Sequence, residues 1–400
     1  MKKNCDFLVI GAGVVGVSIA RELAERHPAS KIILIEKEAS QAQHASGRNS
    51  GVLHAGFYYT ADSLKARFSR DGNTALTDYC DRKGLPIRKC GKLVVAQTEK
   101  EVPILDELMK RANQNSVKLE KISESDARKI EPKVRTTRFA LYSPTTSSVN
   151  PKIVVEQMVQ DAMASGVECC FGVRYLGCSG SLVRTSGGEI EAGYVVNAAG
   201  LYADKIARDY GFSEGYYLLP FKGLYLYSTH LKGSLATNIY PVPNLANPFL
   251  GVHFTVAVDG TIKIGPTAIP AFWREQYRGF DNFRFSEFSE TVGRQMGLMA
   301  GSGFNFHRLA YEEIKKYYKP HMIRQSFLLS DGFTESSFGD WGAAGIRAQL
   351  VRKSTNTLEM DFVVEGDDRS MHVLNAVSPA FTCSIPFSKF VVDRIESSMK

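Results

Sequence analysis

Residues 7–10 form a short apolar run with no polar alternation, the pattern of a strand buried on both faces. Apolar residues then recur at helical spacing over 14–23, and a second apolar run, 31–35, predicts another strand. Residues 63–83 read as an amphipathic helix with Leu64, Phe68, Leu76 and Tyr79 inward. The pattern continues with a strand at 92–96, a helix at 99–115, and a helix opened by Ser123 and stopped near Pro132. Asn150-Pro151 supplies a cap and a first-turn proline for a helix to about Ser165, ended by Gly166. Strands at 167–171 and 190–199 and a helix from Tyr202 resume the alternation of the start, which predicts a parallel sheet.

From Gly215 the pattern changes. Residues 216–227, 249–258 and 261–264 are aromatic and strand-like, as in an antiparallel sheet. Helices follow at 287–299 and 311–319, a polar loop at 330–345, a strand at 361–364, a short segment at 372–375 and a last helix from about 384 to 398. The predicted class is α/β. A Rossmann-like unit made of 1–85, 145–214 and 335–400 is interrupted by a mainly antiparallel α+β unit made of 86–144 and 215–334.

The turn after the first strand carries chemistry. Gly11, Gly13 and Gly16 stand in a G-x-G-x-x-G spacing between strand and helix, and Glu36 ends the second strand 20 residues after Gly16. Glycine permits the tight turn, lets the backbone approach a pyrophosphate, and lets helix pack on strand. The pyrophosphate would face Val14 and Val15 at the helix N-terminus, and Glu36, followed by Lys37, would meet a ribose hydroxyl. These residues specify a dinucleotide and leave FAD and NAD both open. The loop 44–56, rich in small and polar residues, sits where such folds place functional loops.

Composition narrows the picture modestly. The 400 residues favour two domains, and 44% hydrophobic with 23% charged residues is ordinary globular composition. The charge of +7 is scattered with no basic block, which argues against nucleic acid and suits a small anionic substrate. The seven cysteines show neither a C-x-x-C pair nor metal spacing, so no metal site is predicted and reduced thiols in the cytoplasm are. Met1-Lys2-Lys3 before an apolar run imitates a signal peptide, but Asp6 interrupts it. No apolar stretch is long enough to span a bilayer, and peripheral membrane contact is left open.

Longer motifs carry a resemblance. The opening glycines, Asn197-Ala198-Ala199-Gly200 and Asn375-Ala376-Val377-Ser378-Pro379-Ala380-Phe381-Thr382 resemble the D-amino-acid-oxidase-like superfamily of FAD enzymes. Gly47-Arg48-Asn49-Ser50-Gly51-Val52-Leu53-His54-Ala55-Gly56, Tyr240-Pro241-Val242-Pro243, Gly265-Pro266-Thr267-Ala268 and Gly345-Ile346-Arg347-Ala348-Gln349 resemble, more narrowly, the L-2-hydroxyglutarate dehydrogenase/oxidase family. The chain departs from that family's common pattern at Arg48, where His is usual, and at Lys222-Gly223-Leu224-Tyr225, where Arg-Gly-Glu-Tyr is usual.

The resemblance implies FAD, taking a hydride from the carbon of a small 2-hydroxy acid, with oxygen, a quinone or a carrier protein as electron acceptor. It places Ser46, Arg48, Asn49, Ser50, Gly51 and Val52, with Ala199, Gly200, Gly345, Ser378, Pro379, Ala380, Phe381 and Thr382, at the flavin. His54 is the first choice for the base and His253 the second. Arg347, in a glycine-flanked turn, would grip the substrate carboxylate. Lys222 would meet a second anionic group, and Tyr58 and Tyr240 would line the pocket. His27, His230, His307 and His321 receive no role. The competing readings are an amino-acid or secondary-amine oxidase, a glycerol-3-phosphate dehydrogenase, and a flavin-binding subunit without turnover.

Overall fold

The structure, a computed structural model, describes residues 3–229, 232–244, 249–301 and 305–400. Met1, Lys2 and His230 therefore lie outside the described residues. The central sheet is built on parallel strands in the order Ile32–Glu36, Lys3–Ile10, Gly188–Asn197 and Ser370–Asn375, with Ile10 in register with Ile35 and Asn197, and Asn197 with His372. Alternation sends Phe7 and Val9 to one hydrophobic cluster and Leu8 and Ile10 to another. Both faces are thus covered, which explains the uninterrupted apolar run in the sequence. On the first face lie the helices Val14–Arg26, Leu64–Lys83 and Ala380–Ser398, packed through Val17, Phe68, Leu76 and Phe387. Ser63 caps the second of these by accepting the Ala66 N–H, and Gly84 ends it in the left-handed conformation.

A second sheet runs in the order Phe338–Trp341, Leu226–Ser228, Ile262–Gly265, His253–Val256, Asn238–Pro241, Lys92–Val95, Phe139–Ser143 and Glu120–Ser123. Its pairs are antiparallel except Lys92–Val95 with Asn238–Pro241. A third, antiparallel sheet joins Ile269–Pro270, Tyr216–Gly223, Gly345–Arg352 and Thr357–Leu358. Among the described residues no helix is long and apolar enough to cross a membrane.

Several expectations are corrected. The single strand expected at 216–227 is two strands in two sheets, Tyr216–Gly223 and Leu226–Ser228. Thr267 bridges the crossing: its hydroxyl accepts the Leu224 N–H at 3.0 Å and donates to the Lys222 carbonyl at 2.9 Å. Arg347 lies in the strand Gly345–Arg352 opposite Phe221, not in a turn. That strand and Phe338–Trp341, grouped from sequence with the 335–400 piece, pair with Tyr216–Gly223 and Leu226–Ser228. The helix expected at 311–319 is broken: one ends at Ile314, and Pro320 opens Lys319–Ser326, because proline suits a first turn and not an interior. The last helix starts at Ala380, four residues before the expected start, and runs through Pro386. A hairpin, Tyr175–Ser179 with Leu182–Thr185, stands where no strands were expected.

Candidate active site

A cavity of about 970 Å³ opens at the carboxyl ends of these parallel strands, where Ile10, Ile35, Ala198 and Ala376 line it. This is the position at which open α/β sheets bind ligands. Gly11 has a φ of +107° and touches the next strand's end: a Cβ there would meet the Ala198 carbonyl oxygen at 2.7 Å. A Cβ on Gly16 would sit 2.0 Å from the Gly11 carbonyl oxygen, so the helix can approach the turn only as glycine. The helix start carries no side-chain cap from Gly13, and the Val14 N–H is held by the Ser46 hydroxyl at 2.9 Å. Glu36 accepts the Ala12 N–H at 2.8 Å and the Glu38 N–H at 3.0 Å. Each oxygen keeps a second lone pair for a ligand hydroxyl.

Of the sequence-level candidates, Gly11, Gly13, Val14, Val15, Glu36, Lys37, Ser46, Arg48, Asn49, Ser50, Val52, Ala199, Gly200, Gly345 and Ser378 through Thr382 line the cavity, as do His54 and Arg347. Gly16, Gly51, His253, Lys222, Tyr58 and Tyr240 are not among the residues that line it. Arg48 is a brace: its Nε donates to the Gln43 carbonyl at 2.6 Å, its Nη1 to the Ala344 carbonyl at 3.2 Å, and it stacks 4.2 Å over the Tyr277 ring. Asn49 ties its own loop, donating to the Ser46 carbonyl at 2.7 Å and accepting the Gly51 N–H at 2.8 Å. The Thr382 hydroxyl accepts the His54 N–H at 3.1 Å, which fastens the loop to the last helix.

His54 is half-buried on the wall. Burial, then the charge of Lys92, lowers its imidazole to about 3, so it is neutral at pH 7. His253 is buried and its Nδ1 lies 2.9 Å from the Gly251 carbonyl, which can only accept. The proton therefore sits on Nδ1 and Nε2 is left as an acceptor. Burial holds that ring well below the usual histidine value. Arg347 gives one N–H to the Thr267 carbonyl at 3.0 Å and lies 5.5 Å from the Phe249 ring centroid. Among the described residues it has no carboxylate partner, an arrangement that invites an anionic ligand.

Sequence reasoning missed a second polar group on this wall. Lys37 Nζ is 2.7 Å from Glu275 Oε1, His44 Nε2 is 3.0 Å from Glu38 Oε1, and His44 Nδ1 is 2.6 Å from the Tyr277 hydroxyl. The two carboxylates and the imidazole come close enough for a metal, but the Lys37 ammonium already sits against both acids. These residues come from segments more than 200 positions apart, so no local pattern reports them.

A cleft at the strand ends, with the glycine turn and Glu36 on its wall and His54 and Arg347 lining the same space, is the arrangement of a dinucleotide-binding protein. A model of the DAO family, FAD dependent oxidoreductase, matches residues 6–318. The L-2-hydroxyglutarate dehydrogenase of Mus musculus, a mitochondrial protein, is 37% identical over 98% of this chain and 88% of its own length. That of Escherichia coli K12 is 33% identical over 98% and 93%. The FAD-bound L-α-glycerophosphate oxidase of Mycoplasma pneumoniae superposes with a TM-score of 0.78 at 21% identity, covering 98% and 95% of the two chains. Glycine oxidase from Geobacillus kaustophilus gives 0.70 at 18% identity, covering 99% and 95%. The chain belongs to the DAO family of FAD-dependent oxidoreductases and, within it, to the L-2-hydroxyglutarate dehydrogenase family.

Its cofactor is FAD, and the cavity wall fits that group. The uncapped helix start at Gly13 offers amides to a pyrophosphate, Glu36 offers lone pairs to a ribose, and the first turn of the last helix faces the same space.

Proposed function

We propose that the chain oxidises the hydroxyl of a small 2-hydroxy acid, L-2-hydroxyglutarate, to the 2-oxo acid. The observation that carries this reading is the pairing of a neutral imidazole, His54, with an unpaired guanidinium, Arg347, on the wall of one cavity. Bound FAD supplies the hydride acceptor. Arg347 grips the 1-carboxylate and so orients the carbon to be oxidised. A ring nitrogen of His54 takes the hydroxyl proton. The carboxylate that Arg347 brings in also raises the basicity of His54, because a nearby negative charge favours the imidazolium. Lys222 is buried, its ammonium is disfavoured by that burial, and it directly precedes Gly223, which lines the cavity, so it is the candidate for a second carboxylate. The electron acceptor is oxygen, a quinone or a carrier protein.

The test is anaerobic flavin reduction in His54→Gln and His54→Ala. Each variant should keep its flavin spectrum and slow reduction by about 10²–10⁴-fold, the usual worth of a general base. Near-normal reduction in either variant removes His54 as the base.

A further inference from the structure

Lys92 opens a strand whose other residues, Leu93, Val94 and Val95, are fully buried and apolar. Its own side chain is fully buried, and among the described residues Nζ has no hydrogen-bond partner. Three rings enclose it: Nζ lies 4.6 Å from the ring centroids of Phe57 and Tyr58 and 4.9 Å from that of Tyr240. Such a cage stabilises a cation through the ring quadrupoles. Tyr240 is shared. It stacks on His253 with centroids 3.7 Å apart and planes 18° apart, and meets His54 edge-on at 6.4 Å. One aromatic ring therefore meets the ammonium and both imidazoles.

We propose that Lys92 is a positioning residue for the oxidation: caged by Phe57, Tyr58 and Tyr240, its ammonium clamps the Tyr240 ring against His253 and sets a positive charge beside the ring that both His253 and His54 meet. The proposal rests on the reading of His54 as the base.

The surroundings supply no counter-charge. Tyr58, Tyr59, Tyr225 and Tyr240 are all held protonated by burial, and the Cys90 thiol is pushed up for the same reason. The other groups bearing on His253 are His54 and the Arg347 guanidinium. Burial brings Lys92 itself down to about 7. As pH falls below that value, the incoming proton goes to Lys92, and the charge it creates opposes protonation of the two imidazoles. A methionine of similar length would fill the same space without a desolvated charge. The lysine is thus a costly choice for packing and a useful one for electrostatics.

The experiment compares the wild-type holoenzyme with Lys92→Met and Lys92→Gln by NMR titration of the histidine rings and by the pH profile of kcat/KM. The His54 titration and the acid limb of kcat/KM should both move up by about one pH unit, the order a single nearby charge imposes. Lys92→Met should melt no lower than wild type, since it removes an unpaired buried ammonium. Unmoved His54 and His253 titrations in both variants overturn the proposal, whatever the activity. A moved titration with an unmoved acid limb supports the Lys92 effect and counts against His54 as the base, so the two claims fail separately.

Discussion

At the scale of single residues, the proposed grip on a substrate carboxylate turns on Arg347. Burial disfavours its charge, yet a guanidinium stays protonated at any working pH, and one N–H goes to the Thr267 carbonyl. The remaining N–H groups can meet a carboxylate in parallel, a geometry that lysine cannot reproduce. Each charge-assisted hydrogen bond is worth about 1.5–3 kcal/mol. Arg347→Lys should therefore raise KM about tenfold or more with a smaller change in kcat, read from steady-state rates. An unchanged KM would place the carboxylate elsewhere. The place of Arg347 and His54 on the cavity wall was legible in the sequence through the motifs that contain them, as was that of the glycine turn and Glu36. Lys92, His44 and Tyr277 were not, because their significance lies in rings and charges brought together from distant segments. The one local signal for Lys92 was a lysine leading directly into the wholly apolar run 93–96.

At the scale of elements, periodicity found what is buried on a regular face and missed what is interrupted. The opening strand and helix, the helix Leu64–Lys83 and the helix Pro151–Ala164 all follow their apolar positions and their Ser63 and Asn150 caps. The flanking glycine makes Arg347 look like a turn residue, and the strand Gly345–Arg352 shows only in its pairing with Tyr216–Gly223. The break at 224–225 was invisible for the same reason: a threonine over 40 positions away, Thr267, bridges it. The close fit of the opening helix to the glycine turn is itself testable. With only 2.0 Å between a Gly16 Cβ and the Gly11 carbonyl oxygen, Gly16→Ala must push the helix off the turn. Overpacking of this kind costs about 1–3 kcal/mol. The variant should purify with reduced flavin content and a lowered melting temperature, and full flavin occupancy at the wild-type melting temperature would show that the turn tolerates a side chain.

At the scale of the whole molecule, the cavity lies where three sheets meet. The parallel sheet presents its strand ends, the strand Gly345–Arg352 brings Arg347, and Gly223 and Tyr225 flank the crossing between the second and third sheets. The alternation of strands and helices was enough to foresee the parallel sheet and an interrupting, mainly antiparallel region. It could not foresee how the 335–352 stretch would be shared, since two short strands with glycines at 339, 342 and 345 gain their order from partners far along the chain. Substrate choice is likewise a property of the assembled cavity. The central claim, a 2-hydroxy-acid oxidation at this cavity, is tested most directly by adding candidate substrates to the purified holoenzyme without oxygen and following the flavin bands in the visible spectrum. L-2-hydroxyglutarate should bleach them, while glycerol 3-phosphate, amino acids and secondary amines should leave them unchanged. Bleaching by one of those alone, or by none of the panel, would contradict it.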